Sequence, residues 1–278
     1  MNKLSINRDG YTLNINDMRK DTDTPIFVIG SSVYYPKLFA DSIFDSTNFV
    51  FADHRGFSKS VDDGAPYSLD VIVEDIEAMR IILGIDKMHV LGHSGHGFMA
   101  MAYARAYPDH VATLILSNLA PTNTAKRQQG SIQYFEDTAS VERKATFYQA
   151  WETFQASVQD YESERFSLMN IAMQAHSFYN YTFDGAYLWD DVVNNMPALD
   201  HLWGEAFATF DTVSFFERYQ KPVLLLLSPY DYLVAPTSLW KDIVFDNANI
   251  TYGQFQASGH NPMLEEPIQY KKYLDLIM

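Results

Sequence analysis

Gly92-His93-Ser94-Gly95-His96-Gly97 lies between an apolar run, Met88-His89-Val90-Leu91, and an alanine-rich stretch, residues 98–106. Three glycines within six residues, set between those two stretches, predict a strand, a reversal too tight for side chains, and a helix. A short, continuously apolar strand that runs straight into a helix belongs in a sheet buried on both faces. The same reversal holds the residue at its tip, Ser94, clear of its neighbours.

The rest of the chain repeats that alternation. Residues 4–15 alternate about Arg8-Asp9-Gly10 and predict a hairpin. Residues 26–29 and 48–52 are short apolar runs that suit strands. Residues 68–83 carry Leu69, Ile72, Val73, Ile76, Met79, Ile82 and Leu83 at helical spacing and end at Gly84. Further strands are expected at 111–117, at 221–227 (from Val223 onward) and at 250–255, with helices at 237–244 and 267–278. Helices between strands imply an α/β fold with a mostly parallel, eight-stranded sheet covered on both faces. The stretch 121–219 breaks the pattern: it lacks strand-like runs and is rich in aromatics. It predicts a helical insertion, with helices at 134–158 and 161–179, over a core formed by 1–120 and 220–278. With 278 residues and 47% hydrophobic content, one large domain with an insertion fits better than two independent ones.

A serine hydroxyl is a weak nucleophile near neutral pH unless a neutral imidazole takes its proton and a carboxylate orients that imidazole. Asp231 follows the apolar run Val223-Leu224-Leu225-Leu226-Leu227, and His260 follows the run 250–255. Both therefore belong on loops at the carboxyl ends of parallel strands, where Ser94 also sits and where sites form in open α/β sheets. Taken singly, Ser94 and Asp231 read equally as turn formers and His260 as a cap of the last helix. His93 and His96 crowd Ser94 and are rival bases.

The chain has no cysteine, which excludes disulfides, thiol nucleophiles and zinc–thiolate sites. No metal or cofactor is expected. Its net charge of −15 disfavours nucleic acid and anionic membranes as partners. No segment approaches the ~20 apolar residues of a membrane span, and residues 1–10 lack the apolar core of a signal peptide. A cytoplasmic location is expected; the oligomeric state is left open.

These residues together resemble the α/β-hydrolase family. Asp53-His54-Arg55-Gly56-Phe57-Ser58-Lys59-Ser60 is similar to that family's Asp-x-Arg-Gly-x-Gly-x-Ser loop, with Ser58 where glycine is usual. Gly92 to Gly97 resembles its nucleophile elbow, Tyr103-Ala104-Arg105-Ala106-Tyr107-Pro108 and residues 111–116 the helix and strand that follow, and Gly259-His260-Asn261-Pro262 with Glu265-Glu266-Pro267 its histidine segment. The resemblance implies Ser94 as nucleophile, His260 as base, Asp231 as the orienting acid, and the backbone amides of Ser31 and Gly95 as the oxyanion hole. Two departures stand out. His96 replaces the usual glycine two residues after the serine, so it is either a tolerated substitution or a residue lining the pocket. Ile29-Gly30-Ser31 replaces the usual His-Gly after the third strand.

In the insertion, Trp151-Glu152 and Gln174-Ala175-His176-Ser177-Phe178-Tyr179-Asn180 faintly resemble segments of the proline iminopeptidases. There a glutamate binds the substrate's amino terminus, and the matching residue here is Gln174, a neutral amide. Glu152 and Glu205 are the other candidate carboxylates. Most of the aromatics in the insertion are expected to pack a small core; the remainder roof the pocket and favour an apolar substrate group. The expected function is hydrolysis of a small ester or amide, esterase or aminopeptidase, by an acyl-enzyme route. A small-molecule binding or signalling protein with slow or no turnover is the alternative from another class, and carbon–carbon or lyase chemistry on the same three residues is a third.

Overall fold

The computed structural model describes residues 2–61, 64, 66–244 and 247–278. Its eight strands are β1 (Asn2–Arg8), β2 (Tyr11–Asp17), β3 (Ile26–Gly30), β4 (Phe49–Asp53), β5 (Met88–His93), β6 (Val111–Ser117), β7 (Val223–Leu227) and β8 (Ile250–Gln254). They form one sheet in the order β1-β2-β4-β3-β5-β6-β7-β8. β1 and β2 are an antiparallel hairpin that joins the sheet antiparallel to β4; the other pairings are parallel. Asp9 and Gly10 at the hairpin tip both have positive φ, 47° and 82°, the backbone an Asp-Gly two-residue turn requires.

The period of two in a strand divides each apolar run between two cores. In β7, Val223, Leu225 and Leu227 join one cluster with the helices Leu69–Ile82 and His96–Ala106. Leu224 and Leu226 join the opposite cluster with Phe39, Phe44, Tyr270 and Leu274. A run that is apolar at every position is thus what a sheet covered on both faces needs.

The loop after β4 is held by charge. Arg55, wholly buried, donates to both oxygens of Asp75 at 2.6 and 2.9 Å and to Asp9 at 2.7 Å, joining that loop to the helix Leu69–Ile82 and to the hairpin tip. A buried guanidinium needs such partners, since an unpaired one costs several kcal/mol.

Between β6 and β7 the described residues contain helices and no strand, including Ala125–Thr138, Val141–Ser157, Arg165–Ala172, Gln174–Ser177, Met196–His201 and Thr212–Arg218. The single helix expected at 134–158 is two helices broken at Ala139-Ser140. Ser140 adopts an extended backbone and its side chain accepts from the Arg143 amide, so it starts a new helix rather than continuing the old one. The helix expected at 161–179 is a sequence of shorter turns, with a non-helical backbone at Tyr161. The closing helix runs Pro267–Leu274, ending short of the expected 278. Among the described residues no helix is long and apolar enough to cross a membrane.

Candidate active site

β5 delivers Ser94 to the carboxyl edge of the sheet. Its backbone has φ +57°, the left-handed region that non-glycine residues occupy only at a cost of order 1 kcal/mol or more. The turn is fixed on both sides: Ser94 N donates to Ser117 O at 2.9 Å, and Gly97 N donates to Ser94 O at 2.9 Å. The flanking glycines are required by space. A Cβ on Gly92 would lie 2.5 Å from His96 O, and one on Gly97 would lie 2.4 Å from a Leu119 methyl.

His260 and Asp231, 29 residues apart on two loops, meet: His260 Nδ1 is 2.7 Å from Asp231 Oδ2, and both are buried. Asp231 Oδ1 accepts from Leu233 N at 3.0 Å. His260 joins the elbow through His93, whose Nε2 lies 2.7 Å from His260 O and whose ring is 4.6 Å from the His260 ring. Ser94 Oγ makes no hydrogen bond to any described residue. A nucleophile–base contact that forms only with substrate bound is usual for such sites.

Asn118, the first residue after β6, was not expected from the sequence. Its Nδ2 donates to Asp231 Oδ2 and to Gly259 O, each at 3.0 Å, bridging the Asp231 and His260 loops. The strand-end logic that selects Asp231 also selects Asn118, which follows an apolar run ending at Ser117. Substituting Asn118→Ala strips a donor from both oxygens and is expected to lower stability by about 1–3 kcal/mol, read as a shift in the urea midpoint.

The loop after β3 carries Ser31. Its hydroxyl accepts from Val33 N at 3.2 Å and Tyr34 N at 3.1 Å, and the next amide, Ser32 N, donates to Asp53 Oδ1 at 2.6 Å. Burial pushes the Asp53 carboxyl above its usual range. The backbone amides of Ser31 and Gly95 have no hydrogen-bond partner among the described residues.

His96 does not point into open space. Its Nδ1 lies 2.8 Å from Tyr35 Oη and 3.1 Å from His93 O, and its Nε2 lies 3.1 Å from His54 Nε2. Burial drives its imidazole pKa down to about 3. Above it are Trp203, 5.4 Å between ring centres, and Phe57, 5.8 Å. Trp203 and Phe207 also cover Gly95, where a Cβ would lie 2.9 Å from either ring. Phe57, Phe166, Met196 and Leu199 pack together with Trp189 and Trp203 into an apolar roof. Gln174 begins the short helix Gln174–Ser177, and its side-chain oxygen accepts from Gly185 N at 2.9 Å. Glu152 is exposed, and Glu205, also exposed, lies against His201 at 3.2 Å.

The insertion grips the His260 loop directly. His260 N donates to Ser177 O at 2.5 Å. Glu265 accepts from Tyr179 N and from Gly259 N, both at 2.7 Å, and burial pushes its carboxyl up to about 7. Arg143 holds the same turn by donating to the carbonyls of Ala175 and Phe178 at 2.8 Å and of Tyr179 at 2.6 Å.

A family profile described as the alpha/beta hydrolase fold matches residues 28–267. The chain is 43% identical over 257 residues to the AB hydrolase superfamily protein YclE of Bacillus subtilis (strain 168), covering 90% of this chain and 92% of that one. It is 28% identical over 198 residues to the proline iminopeptidase PfmaB of Pestalotiopsis fici, covering 69% and 68%. Among solved structures, an alpha/beta fold family hydrolase from Bacillus anthracis superposes with a TM-score of 0.72 at 19% identity, covering 100% of this chain and 99% of that one.

Proposed function

The chain belongs to the α/β-hydrolase family and is an enzyme acting on ester or peptide bonds, and from that membership we propose that it is a serine esterase for a small, uncharged, apolar ester. The observation that carries this reading is the buried 2.7 Å contact between His260 and Asp231, tied through His93 to the strained turn at Ser94.

In the proposed reaction Ser94 Oγ attacks the ester carbonyl carbon while His260 Nε2 takes its proton. Asp231, accepting from Nδ1–H, fixes the tautomer and stabilises the imidazolium. The tetrahedral oxyanion is held by the amides of Ser31 and Gly95, each worth a few kcal/mol in the transition state. The imidazolium returns its proton to the departing alkoxide, leaving an acyl-serine. Water, deprotonated by His260, attacks that acyl group, and Ser94 leaves with the proton restored.

An aminopeptidase needs a carboxylate to pair the substrate's ammonium, because an unpaired buried charge is costly. Gln174 brings no charge and its oxygen is already engaged, while Glu152 and Glu205 face solvent. The roof over Gly95 is aromatic and aliphatic. Against p-nitrophenyl acetate and butyrate on one side and prolyl and alanyl p-nitroanilides on the other, kcat/KM is expected to favour the esters by roughly a hundredfold or more. Faster turnover of an anilide would reverse the assignment. A second reading, a small-molecule receptor on the same fold, is compatible with His96 standing two residues after Ser94, where the family usually has glycine. Such a receptor would react with a fluorophosphonate at Ser94 yet turn over neither ester nor anilide.

A further inference from the structure

Three buried histidines and one buried tyrosine connect the loops after β3, β4 and β5 and the loop bearing His260. The path runs Gly56 N to His54 Nδ1, 2.9 Å; His54 Nε2 to His96 Nε2, 3.1 Å; His96 Nδ1 to Tyr35 Oη, 2.8 Å; Tyr35 Oη to His93 Nδ1, 3.2 Å; and His93 Nε2 to His260 O, 2.7 Å. His54, Tyr35, His93 and His96 are each at most 5% exposed.

The ends of this path dictate every proton along it. A backbone amide only donates, so Gly56 makes His54 Nδ1 an acceptor, and a neutral His54 carries its proton on Nε2. His96 Nε2 then accepts, so His96 carries its proton on Nδ1 and donates it to Tyr35. From the other end, a backbone carbonyl only accepts. His93 therefore carries its proton on Nε2, its Nδ1 accepts, and Tyr35 must donate to it. The two deductions, made independently, meet at Tyr35, which accepts from His96 and donates to His93. Burial holds all three imidazoles neutral, pushing His54 and His93 well below their usual pKa. Every donor along the path meets an acceptor, and the His96 Nδ1 proton is shared between Tyr35 Oη at 2.8 Å and His93 O at 3.1 Å, both consistent with a proton on Nδ1.

We propose that His54, His96, Tyr35 and His93 act as a one-way hydrogen-bond chain that positions the His260 backbone relative to Ser94 and the Ser31 loop, with His96 and Tyr35 as its positioning residues. The proposal rests on His260 being the base. Glycine at 96 would cut the chain in the middle. Tyr35 also ties the chain to the Ser31 loop: its ring packs over Gly30, where a Cβ would lie 2.1 Å away. Its neighbour Tyr34 is bound at its amide by Ser31 Oγ. The groups facing the chain are aromatic or neutral apart from His260 itself, which touches the His93 ring.

The test reads ring nitrogens and reactivity separately. In 15N-labelled wild-type protein at pH 6.5–8.5, His54 and His93 are expected as Nε2–H tautomers and His96 as the less common Nδ1–H tautomer, none of them titrating. Tyr35→Phe keeps the ring and removes the hydroxyl. It is expected to move the His260 amide and ring resonances and to slow fluorophosphonate reaction at Ser94 roughly tenfold. For p-nitrophenyl acetate, kcat falls to the same degree with KM within about twofold. A different tautomer at any of the three histidines, titration in that range, or an unmoved His260 in the variant overturns the proposal. So does a Tyr35→Phe variant that loses stability but keeps full reactivity. Failure of wild type to react at Ser94 overturns the hydrolase reading instead, and the nitrogen pattern with the His260 shift still decides the chain.

Discussion

Ser94→Ala is expected to abolish fluorophosphonate labelling and to cut kcat for p-nitrophenyl esters by roughly ten-thousandfold or more. The loss follows from the proposed chemistry: without Oγ there is no acyl-enzyme, and what survives is the effect of the amides of Ser31 and Gly95 on direct attack by water. The substitution removes one atom that makes no hydrogen bond to a described residue, and alanine meets the same positive φ as serine, so the melting temperature should hardly move. A variant that kept more than about one per cent of wild-type kcat, an outcome the acyl-enzyme route does not permit, would place the nucleophile elsewhere.

Lowering the pH from 6.5 to 5.5 is expected to lower folding stability, with His96 and His176 alone removing about 2 kcal/mol. His54, His89, His93, His96 and His176 are buried, and burial lowers the pKa of each in the fold, to about 3 for His96 and His176. In the unfolded chain each takes up a proton near 6.5. A group whose folded pKa is depressed stabilises the fold above its unfolded pKa, and that contribution is lost as pH falls. Over this interval the loss is about 1 kcal/mol each for His96 and His176, and His54, His89 and His93 add in the same direction. Glu265 acts in the opposite sense: its folded pKa is raised to about 7, so it favours the fold more as pH falls, offsetting about one histidine. Urea midpoints at pH 7.5, 6.5 and 5.5 measure the slope. A flat profile would mean that these imidazoles are protonated inside the folded protein.

What could be read from the amino-acid order was what short-range chemistry decides. β3, β5, β6 and β7 are runs of residues that suit a buried strand, and the ends of β5, β7 and the more exposed β8 put Ser94, Asp231 and His260 on loops at one edge of the sheet. The insertion was read less well because its helices, such as Val141–Ser157, are short of buried residues and carry aromatics on several sides, so periodicity marks their presence but not their limits. The break at Ser140 had a local signal, a serine able to cap the next helix, which the aromatic run around it obscured. The role of His96 had none. Its partners Tyr35 and His54 are 61 and 42 residues away on other loops, and no local pattern says that three loops will bring them together. Gln174 was singled out by a short likeness alone; the contact of its side-chain oxygen with Gly185 N, 11 residues on, had no signal in the sequence.

The grip of the insertion on the His260 loop makes the two an interlock. Ser177 O holds the His260 amide, and Glu265 holds the amides of Tyr179 and Gly259 together. A swing of the whole insertion that carried this turn away would release His260 with it, so under the proposed chemistry an open enzyme of that kind would be a disarmed one. Substrate entry that leaves the machinery armed has to use movement elsewhere in the insertion. An engineered exchange of this insertion between relatives succeeds only if the turn at 174–180 and the loop at 259–265 travel together.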